Sequence, residues 1–163
     1  MQTFLPYPAM RDSLDALDNK RLNKQVLETY QILKVLSGQS PSGAWRNHPA
    51  VLMWKGAESE LWRYGMTAIA VAKMRGIKTE NNLANFDALV KVSALNWGDD
   101  EPAWRKNPTT LKRVNTTHKA NLYRKDREYY AEYANAVNSE YNKPCCPDCL
   151  YFWPTHPLKK IND

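Results

Sequence analysis

The chain has 163 residues, 43% of them apolar or aromatic, which suits a single domain spanning 1–163 with a core that needs no staples. A formal charge of +6 favours a polyanionic partner. No apolar run approaches the roughly 18 residues that span a bilayer, and the first residues lack a secretory pattern, so a cytoplasmic protein without membrane contact is expected.

Residues 1–8, MQTFLPYP, read as an extended arm, because Pro6 and Pro8 disfavour helix at and before them. Such an arm must pack on the body or lie in a site. Asp12 or Ser13 can cap a short helix through Leu17, and Asp18 can cap a longer one to Ser37 with Gly38 as its stop. In the longer helix Leu22, Val26, Tyr30 and Leu33 form the core stripe, and Arg21, Lys24, Glu28 and Gln31 the opposite, polar one. Pro49 marks the start of a third helix that can continue to Arg75 before Gly76, with Gly56 and Gly65 marking a kink or a close approach.

Asn82 can cap a helix carrying Leu83, Phe86, Leu89 and Val90, and a polar loop runs from Asn96 to Pro108. A basic helix is then expected from about Thr117, broken at Asp126, which caps a last helix carrying Tyr129, Tyr130 and Tyr133. From Asn142 the tail is proline-rich and irregular. No stretch alternates at period two, so the predicted fold is all-α, a compact helical bundle with an extended arm and an irregular tail over 142–163.

Charge is unevenly placed. Between Arg105 and Arg127 stand Arg105, Lys106, Lys112, Arg113, Lys119, Arg124, Lys125 and Arg127 against the single acid Asp126, a basic patch suited to DNA phosphates. Arg46 and His48 flank a helix start, where backbone N–H groups favour phosphate, although a plain helix cap reads equally well. Trp45, Trp54, Trp104, Tyr151 and Trp153 are candidates for stacking on an extruded base. Cys145, Cys146 and Cys149 resemble half a zinc site, with His156 as a further ligand, but a closed site needs four ligands, and no metal or cofactor is assigned.

Several segments together resemble a bacterial and phage branch of the pyrimidine dimer DNA glycosylases. They are the opening arm, Lys20-Arg21-Leu22-Asn23-Lys24-Gln25 leading to Glu28, Trp45 to Trp54, Thr117-His118-Lys119 leading to Arg124-Lys125-Asp126, and Tyr151 to Pro154. The resemblance implies a monomeric all-helical enzyme acting on double-stranded DNA, with an N-terminal amine as nucleophile and Glu28 as the essential carboxylate. An α-amine suits that role because its ordinary pKa of about 7.7–8.0 leaves a usable neutral fraction near pH 7. An iminium at the sugar C1′ would also permit strand cleavage by β-elimination.

On this basis Glu28, Met1, His48, Arg21 and Lys24 are candidate catalytic residues, and Arg46, His118, Lys119, Arg124, Lys125, Trp45 and Trp153 candidate DNA contacts. Two features depart from the family pattern. Gln2 is a large residue that protects Met1 from removal, so the amine on offer is that of Met1, and the arginines expected beside the acid are replaced by Leu27 and Gln31. A DNA-binding protein without chemistry, and a glycosidase acting on free nucleotides, are the alternative readings.

Overall fold

The computed structural model describes residues 1–40, 43–92, 97–98, 101–146 and 149–155. Pro41, Ser42, Asn96, Pro147, Asp148 and His156 lie outside the described residues. Among the described residues there are helices and no strand.

Helix α1 (Met10–Asp15) begins before the expected caps. Ser13 is instead buried and folds back on the arm, accepting the Tyr7 N–H at 3.0 Å and donating to the Tyr7 carbonyl at 2.9 Å. Helix α2 (Asn19–Leu36) starts as expected, with Asp18 accepting the Arg21 N–H, and ends at Gly38, whose φ of +75° a side chain would disfavour. Its inner face is Leu22, Gln25, Val26, Thr29, Ile32 and Leu33, whereas Tyr30 sits half-buried at the flank. Two polar residues therefore occupy the centre of the stripe, and both have a specific neighbour there.

The long third helix expected from Pro49 is two helices, α3 (Pro49–Leu52) and α4 (Glu58–Met74). Gly56 adopts φ +83° between them, and the Glu58 carboxylate accepts its N–H at 3.1 Å, so the chain turns and restarts. Helix α4 packs on α2 and α1. Gly65 is where α4 comes closest to α2, since a Cβ there would lie 2.9 Å from the Thr29 methyl and 2.7 Å from the Phe86 ring. Helix α5 (Glu80–Val92) contributes Phe86 and Leu89 to the core and leaves Leu83 exposed.

After α6 (Ala103–Lys106), helix α7 (Pro108–Lys125) begins nine residues before the expected Thr117. Asn107 caps it by accepting the Thr110 N–H, and Pro108 occupies the first turn, a start signal that the preceding polar loop obscured. Asp126 does end α7, and its carboxylate accepts the Tyr129 N–H. Beyond it the chain forms a 3-10 helix (Ala131–Asn138) and then a shorter one (Glu140–Asn142), in place of the expected α-helix. The described residues of the tail from Lys143 are irregular but not loose, because Cys145, Phe152 and Trp153 are all buried.

Phe86 is fully buried and cannot swing away from a new methyl at position 65. Gly65→Ala should therefore cost about 1–3 kcal/mol in overpacking, only partly offset by the ~1 kcal/mol gain in helix propensity. Urea unfolding should show a lowered midpoint with an unchanged slope; an equal or raised midpoint would mean the contact is not tight.

Candidate active site

Residues 2–5 run through the body of the protein in extended form, and all four are buried. An extended segment without a sheet partner must find side chains for its peptide groups, because a buried unpaired one costs about 1–3 kcal/mol. Helix α2 supplies two of them, with Glu28 Oε2 accepting the Gln2 N–H at 3.0 Å and Gln25 Oε1 accepting the Phe4 N–H at 2.7 Å. From α4, the Tyr64 hydroxyl lies 2.8 Å from the Phe4 carbonyl and 2.9 Å from Gln25 Oε1. Helix α7 holds Leu5 at both ends, His118 Nδ1 accepting its N–H at 2.8 Å and Asn115 donating to its carbonyl at 2.6 Å. Trp54 Nε1 donates to the Thr3 hydroxyl at 2.9 Å.

This lattice aims the chain's first amine at Glu28. The Met1 nitrogen is 3.9 Å from Glu28 Oε1, and Lys24 Nζ reaches the same oxygen at 3.6 Å. Glu28 is only 6% exposed, so a solvated helix residue paired with Lys24 does not describe it. A carboxylate held at that depth is stable only with donors and positive charge around it, and all three neighbours supply them.

Two cavities adjoin at Glu28 and Met1. One, of about 340 Å³, is walled by Lys20, Arg21, Lys24, Gln25, Lys125 and Tyr151. The other, of about 310 Å³, is walled by Gln31, Lys34, Val35, Ser40 and Trp45. The lower limit for small-ligand sites is about 300 Å³, so each is large enough for a nucleotide-sized group. Because Lys20, Lys24, Glu28, Gln31 and Lys34 lie along one side of α2, the two cavities form a groove along it, about 21 Å from Lys20 to Lys34 at 1.5 Å per residue. Gln25 Nε2, on the groove wall, is buried without a partner among the described residues.

An aromatic row backs the groove. Tyr151 packs on Trp153 with ring centroids 5.3 Å apart, Trp153 on His48 at 6.0 Å, and His48 on Trp45 at 5.2 Å, so the row links one cavity to the other. Burial and then the Glu28 charge push the Tyr151 phenol up to about 12, against the opposing pull of Arg124, which places both charges near that ring. Trp45 is 56% exposed and has φ +72°, a conformation that a bulky side chain rarely adopts.

The other candidates fall into distinct places. His48 caps α3 by accepting the Ala50 N–H at 3.1 Å; burial, then the charge of the N-terminal amine, lower its pKa, so it feels that amine but lines neither cavity. Arg21 lines the groove but is clamped, 2.6 Å from Asp18 and over the Tyr130 ring. Burial raises the Asp18 carboxyl, and hydrogen bonds from Tyr130 and Arg21 outweigh it, leaving its pKa below the ordinary value. Arg46 is exposed on the Trp45 turn and lines neither cavity. Arg124 and Lys125 are exposed at the end of α7, and Trp153 is buried.

The expectation for His118 is corrected by its burial: it is 0% exposed and anchors the arm, so it cannot reach a phosphate. With Nδ1 accepting from Leu5, its Nε2 carries the ring proton and meets the Gln2 side-chain amide, whose oxygen is the half able to accept. The basic patch is likewise less free than its sequence suggests. Lys112 lies over Tyr141, Arg113 over Phe152, and Lys119 over Tyr7 at 4.3 Å, while Arg105 pairs with Glu101. Lys20, Lys34 and Gln25 are groove residues that sequence reasoning does not single out as site residues. Their positions on the Glu28 side of α2 are the available signal.

The model of the family described as pyrimidine dimer DNA glycosylase matches residues 1–85, just over half of the chain. The chain belongs to that family. The matched part holds the arm, Glu28, the α2 lysines, Trp45 and His48, whereas Lys125, Tyr151 and the rest of the tail lie beyond it. No curated protein and no solved structure gave a significant match. The family is one of DNA repair glycosylases, which makes DNA its substrate class. No helix among the described residues is long and apolar enough to cross a membrane.

Burial lowers the His118 pKa to about 3, so the native state stays unprotonated there while the unfolded chain takes up a proton near 6.5. Between those values the unfolded state binds more protons, and stability falls as pH drops, by roughly 1.4 kcal/mol per pH unit. Urea unfolding at pH 7 and pH 5 should show about 2 kcal/mol of this loss in the wild type and much less of it in His118→Gln, which keeps an acceptor and a donor. Equal losses in the two proteins would show that His118 is not held neutral.

Proposed function

We propose that this pyrimidine dimer DNA glycosylase cleaves the N-glycosidic bond of a damaged or modified pyrimidine in duplex DNA, with the N-terminal amine as nucleophile and Glu28 as its carboxylate partner. The observation that carries the reading is the burial of Glu28 between Met1 N and Gln2 N, 3.9 Å and 3.0 Å away, at the meeting point of two cavities. Attack of the neutral amine at C1′ expels the base with the glycosidic electron pair. A C1′–N bond forms, and ring opening yields an imine that hydrolysis can release. Glu28 takes the proton lost by the attacking nitrogen and stabilises the cationic sugar, a contribution of typically 10²–10⁴-fold for a positioned acid–base group. The same imine makes the C2′ proton acidic, so abstraction there and loss of the 3′ phosphate would nick the strand as an AP lyase does.

The groove fits a DNA strand in length and charge. About 21 Å corresponds to six nucleotides at 3.4 Å each, with Lys20, Lys24 and Lys125 at one end and Lys34 at the other. Trp45 stands exposed on the groove wall, where base stacking contributes about 1–3 kcal/mol. Its unfavourable φ suits a side chain held out for a ligand.

Incubation with an ultraviolet-irradiated duplex and borohydride should yield a covalent adduct, and peptide mass spectrometry should place it on the Met1 amine. Glu28→Gln should lower kcat by at least about 10²-fold while leaving DNA affinity within a few-fold. Base release without any adduct would replace the amine by a Glu28-activated water. Neither adduct nor base release would end the enzymatic reading and leave a DNA-binding protein.

Phosphate contact also has a separate signature. Lys34→Ala and Lys125→Ala should each flatten the dependence of log affinity on log salt by about 0.9, whereas Lys119→Ala, whose ammonium sits over Tyr7, should leave that slope unchanged. Indifference of all three slopes would move the DNA off this groove.

A further inference from the structure

All three cysteines of the chain converge on one spot in the tail, with their Sγ atoms within 4.8 Å of one another. None of the three is in a disulfide; Cys145 is buried and the other two are half-buried. Around zinc at about 2.3 Å per bond, tetrahedral thiolates stand about 3.8 Å apart, so these sulfurs need shift by no more than about 1 Å to share an ion. Cys146 and Cys149 have the two-residue spacing of a zinc knuckle, and the Cys149 N–H donates to the Cys146 carbonyl at 3.1 Å.

The loop that bears this cluster is tied to α7 on both sides. Arg113 donates to the Lys143 carbonyl, Asn121 to the Leu150 carbonyl at 3.0 Å, and the Phe152 N–H to the Thr117 hydroxyl at 3.2 Å. Cys145 Sγ lies 3.7 Å from the Tyr151 carbonyl, next to the residue that walls the Glu28 groove. The described residues of the segment form no helix, so it is held by these bonds and by ring packing, and a small ion would add a further tether.

We propose that Cys145, Cys146 and Cys149 bind a thiophilic divalent cation, zinc in the cell, which fixes the loop carrying Tyr151 and Trp153 against the groove. Three thiolates fill three corners of a tetrahedron, and water fills the fourth. Each ligating thiol gives up its proton, so binding one ion releases up to three protons to the solvent. The role of the loop at the groove rests on the DNA glycosylase reading; the ion's presence does not.

The test uses the full chain, expressed with zinc supplementation and purified under reductant without chelator. Elemental analysis should find about one zinc per chain, and replacement by Co²⁺ should give thiolate-to-cobalt charge-transfer bands with tetrahedral d–d bands. Cys146→Ser and Cys149→Ser should each lose most of the metal and the charge-transfer intensity. Chelation should speed amide exchange at residues 149–153, and zinc should restore protection, whether or not the protein cleaves DNA. Less than about a tenth of an equivalent of zinc, even after incubation with the ion, would overturn the site. So would metal retained by the triple serine variant. A metal-bound protein that fails to release any base would leave the site standing and remove only its link to catalysis.

Discussion

A short extended segment buried in a helical protein has no neighbouring strand to satisfy it, and here that problem organises the molecule. Gln2 to Leu5 are enclosed, and Glu28, Gln25, Tyr64, His118, Asn115 and Trp54 each turn a polar atom toward the arm. These side chains come from α2, α4, α7 and the turn before α4, so the arm is also what these elements share. Of the two polar residues in the centre of the α2 stripe, Gln25 faces the arm in the same way, whereas Thr29 turns its methyl to the bare backbone at Gly65 and its hydroxyl has no partner among the described residues. Because these bonds hold the arm's backbone in one register, the first amine has little freedom, and its approach to Glu28 is a product of the packing.

Charge obeys a different logic from the one its distribution along the chain suggests. The basic stretch between Arg105 and Arg127 is wound around α6 and α7, so its members point in several directions, and many lie over tyrosine or tryptophan rings. Cation–π contacts of about 0.5–2 kcal/mol hold the 3-10 segment and the tail to α7. The charge around Glu28 comes mainly from α2 itself, through Lys20, Lys24 and Lys34, with Lys125 arriving from the end of α7. A helix presents residues three and four apart on one side, so a modest number of lysines at that spacing makes a stronger line of charge than a denser run.

The groove has contributors of two kinds. The family model's span carries the arm, the carboxylate and one wall, while Tyr151 comes from the tail to close the other side, with Trp153 packed on it. The aromatic row from Tyr151 to Trp45 joins these two parts behind Met1, so the tail is part of the site's support although its described residues from Lys143 form no regular element.

The sequence by itself determined the all-helical class, the bounds of α2 from Asp18 to Gly38, the break at Asp126 and the extended arm, because capping groups, left-handed glycines and prolines act over a few residues. It also singled out Glu28, by its position in a resemblance and by its place on a polar stripe. Only the tertiary structure decided that this stripe is buried at Glu28, that His118 serves the arm rather than DNA, and that α7 begins at Pro108. It likewise divided the third helix at Gly56, where the positive φ is held by a turn rather than by any periodic pattern. Burial, partner choice and the direction of a charge depend on which remote residues face one another. The bonds from Glu28 to Gln2 and from His118 to Leu5, across 26 and 113 positions, lie beyond what local spacing encodes.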